Sequence, residues 1–175
     1  MEPGSSASSP NDTRVSADRI PALEVVILIG LPGAGKSTFR GQRFVETHAV
    51  VSKDLIRNHR RPERQQQLFV MAALASGLSV VVDDTHSSVQ ERAGIIATAR
   101  ACGARVVGYF FDSPLHECAA RNQRRPARTR APDVGLLATA RRLVAPSRAE
   151  GFAELLTVRT LPDLRFDVVP GCRIE

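Results

Sequence analysis

Between Val25 and Thr38 the chain reads VVILIGLPGAGKST, and this stretch limits the possible folds more than any other. Val25 to Ile29 are five consecutive apolar residues rich in β-branched types, the composition of a strand covered on both faces. Gly30 to Ser37 then spell G-x-x-x-x-G-K-S, and a helix-compatible run follows. Gly30, Gly33 and Gly35 let the backbone turn tightly around a polyphosphate with no Cβ in the way. Pro32, Ala34 and Thr38 complete the cradle. The helix starting near Lys36 adds its positive dipole end. Lys36 can reach β- and γ-phosphates, and the Ser37 hydroxyl can ligate Mg²⁺. A nucleoside-triphosphate site is therefore expected here, with ATP and Mg²⁺ as its ligands.

The rest of the chain supplies the matching scaffold. Val-rich or aromatic runs at Ala49–Ser52, Leu78–Val82, Arg105–Phe111 and Leu155–Val158 read as strands. Between them, helices are expected over Lys36–Thr47, Pro62–Ser76, Val89–Cys102, Pro114–Arg124 and Asp133–Leu143, with a helical turn over Asp54–His59. Pro62 suits a helix start, Gly77 and Gly103 suit helix ends, and Ser88 is a ready N-cap. Such alternation predicts an α/β fold: a P-loop NTPase, three layers αβα, with a mostly parallel five-stranded sheet. Phe166–Val169 is a weak extra strand suited to an edge. Residues 1–19 are Ser, Ala, Pro, Gly and Asn with few large apolar side chains, and are expected as a disordered tail before a domain over 20–175.

Charge and cysteine content exclude some classes. Lys and Arg number 24 against 18 Asp and Glu, and Lys36 and Lys53 are the sole lysines. Much of the arginine surplus falls between Arg121 and Arg148. Cys102, Cys118 and Cys172 show no metal-ligand spacing, so neither a structural metal nor a disulfide framework is expected. No apolar run has the length of a membrane span, and no apolar signal core opens the chain, so a cytoplasmic protein with no membrane partner is expected.

Ligands of such sheets bind beyond the C-terminal strand ends, and Asp54, Asp83, Asp84 and Asp112 all fall there. Asp54 and Arg57, three apart on a helical turn, would share a face. They suit either a proton acceptor with an anion clamp or a surface ion pair at a helix start; the strand-end position favours the first. Asp83 and Asp84 suit either a magnesium shell or an ordinary turn, and in an extended chain they point oppositely, so at most one serves the ion. His86 beside them reads as a loop histidine. Arg121, Arg124, Arg125, Arg128 and Arg130, around a Pro-bounded loop, suit either a phosphate-clamping lid or a solvated basic face.

Taken in order, these motifs resemble the P-loop kinase domain of the polynucleotide 5′-hydroxyl kinase family, the kinase half of polynucleotide kinase/phosphatase enzymes. GLPGAGKST is followed by SKDLIR at Ser52–Arg57 for the family's N-R-D-x-x-R, and by DDTH at Asp83–His86 for D-x-T-N. RNQRR at Arg121–Arg125 stands for R-N-x-x-R, and APSRAEGF at Ala145–Phe152 for A-P-x-x-x-E-G-F. The resemblance implies ATP-dependent phosphorylation of a 5′-OH on DNA or RNA, on a nucleoside/polynucleotide kinase fold with an Arg-rich lid. It implies Lys36 and Ser37 on phosphates and Mg²⁺, Asp54 as general base, and Arg57 on the acceptor's neighbouring phosphate. It further implies Asp84 in the acceptor pocket, Arg125 on the γ-phosphoryl group and Arg121 against the adenine. Lys53 stands where the family has Arg, and His86 where it has Asn. Neither a D-x-D-x-T nor a K-x-D-G stretch occurs, so a stand-alone kinase is expected. A small-molecule or tRNA-linked kinase on the same scaffold is the alternative, and a non-catalytic nucleotide-binding module the third.

Overall fold

The computed structural model describes residues 22–53 and 60–171. The expected tail at 1–19, the turn at 54–59 with Asp54 and Arg57, and Cys172 lie outside the described residues.

Six strands form one sheet in the order β2-β3-β1-β4-β5-β6. They are β1 (Glu24–Ile29), β2 (His48–Val51), β3 (Ser79–Asp83), β4 (Arg105–Phe111), β5 (Glu154–Thr160) and β6 (Phe166–Pro170). The helices are α1 (Lys36–Arg43), α2 (Pro62–Ala75), α3 (Val89–Ala101), α4 (Leu115–Gln123) and α5 (Asp133–Arg142). Pairings among β1 to β5 are all parallel, and β6 alone runs antiparallel, against β5. The count of five strands is thus corrected to six. Without β6, the outer backbone edge of β5 would be left open, and edges are commonly blunted with a short, Pro-ended strand. β6 ends at Pro170 and is that device.

β1 sits centrally, between β3 and β4, and is buried from Val25 to Ile29. Its side chains alternate between two cores, as a pleated strand requires. Val25, Ile27 and Ile29 pack with Val70 and Leu74 of α2 and with Ile95 and Ile96 of α3. Val26 and Leu28 pack on the other face with Phe39 of α1, Cys118 of α4 and Leu136 of α5. Each such side chain contributes roughly 1.5–3 kcal/mol on burial. After β1 the chain runs out to β2 and returns to β3, then crosses to β4 on the other side. The reversal leaves a crevice beyond the C-terminal end of β1, where Gly30 begins.

α1 stops at Arg43, four residues short of the expected Thr47. Phe44 leaves the helical region (φ −124°) and turns its ring into an aromatic cluster, 6.0 Å from Phe39 and 5.7 Å from Tyr109. Ser88 caps α3 as expected, its side chain accepting from the Glu91 N–H at 3.2 Å. Among the described residues no helix is long and apolar enough to cross a membrane.

Candidate phosphate and acceptor site

The loop from Gly30 to Gly35 carries the geometry its glycines allow. Gly33 holds φ 82° and Gly35 φ 96°, values an L side chain rarely adopts. At Gly33 a Cβ would also run into the Cys118 carbonyl of α4. The Lys36 ammonium donates to the Gly30 and Leu31 carbonyls at 2.8 Å each, and its side chain is almost buried. Burial lowers its pKa to about 8, partly offset by the nearby Asp83 and Asp84 charges, while Arg125 lowers it further. Ser37 is exposed at the start of α1.

A cleft of about 650 Å³ opens over this loop. Pro32, Gly33, Gly35, Lys36, Ser37 and Thr38 line its floor, Arg121, Arg124 and Arg125 one wall, and Thr160 to Leu164 the other. Gly30 and Ala34 shape the loop from beneath, and Ala34 is fully buried. The cleft therefore gathers all the residues expected to hold ATP except Gly30 and Ala34. Arg121 donates through Nε to the Gly33 carbonyl at 2.8 Å, and its Nη1 pairs with Glu117 at 3.1 Å. Besides facing the cleft, it braces the phosphate loop, a job the motif alone does not reveal.

The lid is a stapled loop. Asn122, fully buried, donates to the Ala131 carbonyl at 2.7 Å and accepts from the Ala131 N–H at 3.0 Å. Both ends of the 123–130 segment are thereby fixed. Arg124, Arg128 and Arg130 stay exposed on it, and Arg125 is half-buried toward Lys36.

The two acids at the end of β3 do diverge. Asp83 is buried and pairs with Arg40 of α1 at 3.1 Å. Asp84 turns the other way, toward β2 and α2. Its carboxylate accepts from the Lys53 N–H at 3.1 and 3.2 Å and from the buried Gln66 amide. Burial raises its pKa to about 6 against those donors. Lys53 Nζ reaches Glu63 at 3.3 Å, tying the start of α2 to the same corner. Asp84 does not line the cleft; it occupies the opposite flank of the loop, where its charge still reaches Lys36.

His86 and Arg92 complete the rim. The His86 ring donates through Nδ1 to the Leu28 carbonyl at 2.8 Å, and burial lowers its pKa to about 4, so it is neutral. Its backbone is left-handed at φ 45°, and among the described residues its Nε2 has no partner. Arg92, fully buried, holds the His86 carbonyl at 2.9 Å and the Val144 carbonyl at 3.0 Å through one Nη1. Its other nitrogens grip Glu150 at 2.7 and 2.9 Å. Sequence reasoning missed Arg92. The available signal was Glu150 in the APSRAEGF motif, an acid whose buried partner lies 58 residues away.

Among the described residues no cluster of three or more His, Cys, Asp and Glu could hold a metal ion. Among the described residues, oxygen donors near Lys36 include the Ser37 hydroxyl and the Asp83 carboxylate, hard ligands of the sort magnesium takes beside phosphates.

Comparison with known proteins agrees with this architecture. A sugar kinase from Janibacter sp. HTCC2649 superposes with a TM-score of 0.59 at 16% identity, over 77% of this chain and 85% of that one. A gluconokinase from Sinorhizobium meliloti 1021 gives 0.57 at 19%, over 81% and 85%. Kti12 from Chaetomium thermophilum, solved with ADP-AlF3, gives 0.57 at 12%, over 78% and 89%. These likenesses establish a P-loop kinase-type α/β fold. At the level of sequence, residues 25–146, which include the phosphate loop and the stapled lid, match the family described as AAA domain, and the chain belongs to that family.

Proposed function

We propose that this protein is an ATP-dependent phosphotransferase whose acceptor is the 5′-OH of a polynucleotide. One observation carries the acceptor side. The Lys53 N–H is bonded to the Asp84 carboxylate, so the residue before Asp54 is anchored on the flank of Lys36 opposite the lid. Asp54 follows it in sequence, as the base should.

In this reading the 5′-oxygen attacks the γ-phosphorus and the bond from that phosphorus to the β–γ bridging oxygen breaks. ADP leaves, and the hydroxyl proton passes to the Asp54 carboxylate. Lys36 stabilises the charge on the β- and γ-oxygens, and Arg125 covers the transferring group from the lid. The Ser37 hydroxyl would hold Mg²⁺, which would supply neutralisation of the phosphate charge. Arg57 takes the phosphate next to the 5′-OH, Asp84 orders the acceptor corner, and Arg121 lies beside the base. Exposed Arg124, Arg128 and Arg130 add the positive rim a polyanion needs.

A small hydroxyl compound as acceptor is the second reading. It is favoured by Lys53 and His86, which depart from the polynucleotide kinase pattern on the acceptor side. The test is γ-labelled ATP offered with 5′-OH oligonucleotides and, separately, with a panel of small sugars and nucleosides. Label on the oligonucleotide 5′ end supports the first reading; label on a small acceptor alone overturns it. Asp54→Ala should abolish transfer and leave ATP binding near wild type. Full transfer by that variant would remove Asp54 from the role of base.

A further inference from the structure

In a trans peptide the C=O and the following N–H point in opposite directions. Whatever holds a loop carbonyl outward therefore aims the next N–H inward. Four carbonyls of the phosphate loop accept from side chains. Gly30 and Leu31 are held from the cleft side by Lys36, the loop's own lysine. The other two are held from distant parts of the chain. Arg121 Nε takes the Gly33 carbonyl, and the Thr160 hydroxyl donates to the Ala34 carbonyl at 2.8 Å across 126 residues.

Thr160 is the last residue of β5 and the first of the cleft wall that runs to Leu164. Beyond that wall, the Phe166 ring of β6 lies 3.0 Å from where a Cβ on Gly35 would be. The β5–β6 hairpin thus backs two adjacent loop residues, Ala34 through a hydrogen bond and Gly35 through a ring. All peptide bonds among the described residues are trans.

We propose that Thr160 is a positioning residue for triphosphate binding: its hydroxyl fixes the Ala34–Gly35 peptide with the Gly35 N–H presented to the phosphates. This rests on the loop being a triphosphate site and is independent of the acceptor. Without the hydroxyl, the Ala34 carbonyl is free to turn, and the loop spends part of its time with that N–H averted. Apparent affinity then falls by the fraction of loops still competent.

The experiment is calorimetric titration of wild type, Thr160→Val and Thr160→Ser with ATP and with inorganic tripolyphosphate, alongside thermal unfolding without ligand. Valine keeps the shape and removes the donor; serine restores it. Thr160→Val should weaken both ligands by the same factor, about three- to tenfold, the worth of one hydrogen bond. Thr160→Ser should return both to wild type. If valine does not fold, Thr160→Ala gives the same comparison. Weakening of ATP alone would make Thr160 a nucleoside contact and overturn the proposal, as would unchanged affinity for both ligands. A wild type that binds neither ligand would overturn the triphosphate site itself, and this proposal with it.

Discussion

Lys36 is the residue whose surroundings bear most directly on function. Its pKa is lowered to about 8 by burial, so around neutral pH it is charged, and a bound triphosphate must raise that pKa. The affinity it supplies is fully present below about pH 8 and is lost as pH rises through that value, by up to about tenfold per unit. ATP dissociation constants measured from pH 6.5 to 9.5 should be flat and then climb, with the break near 8. Lys36→Ala should remove the break. The Asp84 pKa is shifted in the opposite direction, upward. Its folded pKa of about 6 exceeds the ordinary value of 3.8, so the folded state binds the extra proton and stability falls as pH rises between those values. The two-unit shift corresponds to roughly 3 kcal/mol, reduced because the group is only partly shielded from water. Asp84→Asn should therefore be about 2 kcal/mol more stable than wild type at pH 7 and little different at pH 4, by urea unfolding. It should also be less active, because in the proposed reaction the Asp84 carboxylate orders the acceptor corner.

Among the elements, the lid depends on one side chain. Asn122 makes two hydrogen bonds to Ala131, which close the 123–130 segment. Asn122→Ala should raise KM for ATP and lower kcat together, by about tenfold in kcat/KM, with Arg125 no longer held toward Lys36. A steady-state titration of ATP reads this out. The contrast between Asn122 and Arg125 also marks the limit of sequence reading. The strands β1, β3 and β4 were legible because unbroken Val-rich runs suit strands covered on both faces. Glycine and proline spacing exposed the helix ends, and the Gly30–Thr38 pattern marked the loop that floors the cleft. By contrast, β6 was weak in sequence because Phe166 and Val168 are only partly buried, and its edge position demands little apolar character. The bracing of Gly33 by Arg121 and of Ala34 by Thr160 was not legible at all. Such pairs are set by how the layers pack, and no local period announces them.

At the scale of the whole molecule, Arg92 and Glu150 join the loop after β3 to the segment after α5. One guanidinium holds the His86 carbonyl, the Val144 carbonyl after α5, and the Glu150 carboxylate. Glu150→Ala would leave that buried cation without its counter-charge, and should cost about 3–5 kcal/mol in unfolding free energy. Arg92→Met with Glu150→Leu should recover part of the loss, because a buried ion pair replaced whole by apolar groups is often tolerated. The same layout divides the rim in two. In the proposed reaction the cleft over Lys36, walled by Arg121–Arg125 and Thr160–Leu164, receives the donor, and the acceptor comes to the Asp84 corner across the loop. In that proposed reaction a phosphate crosses between them to a polynucleotide end. Mass spectrometry of a 5′-OH oligonucleotide incubated with the protein, ATP and Mg²⁺ tests it most directly. The account predicts one added phosphate at the 5′ end, absent with Lys36→Ala; an unchanged oligonucleotide beside a phosphorylated small hydroxyl compound would contradict it.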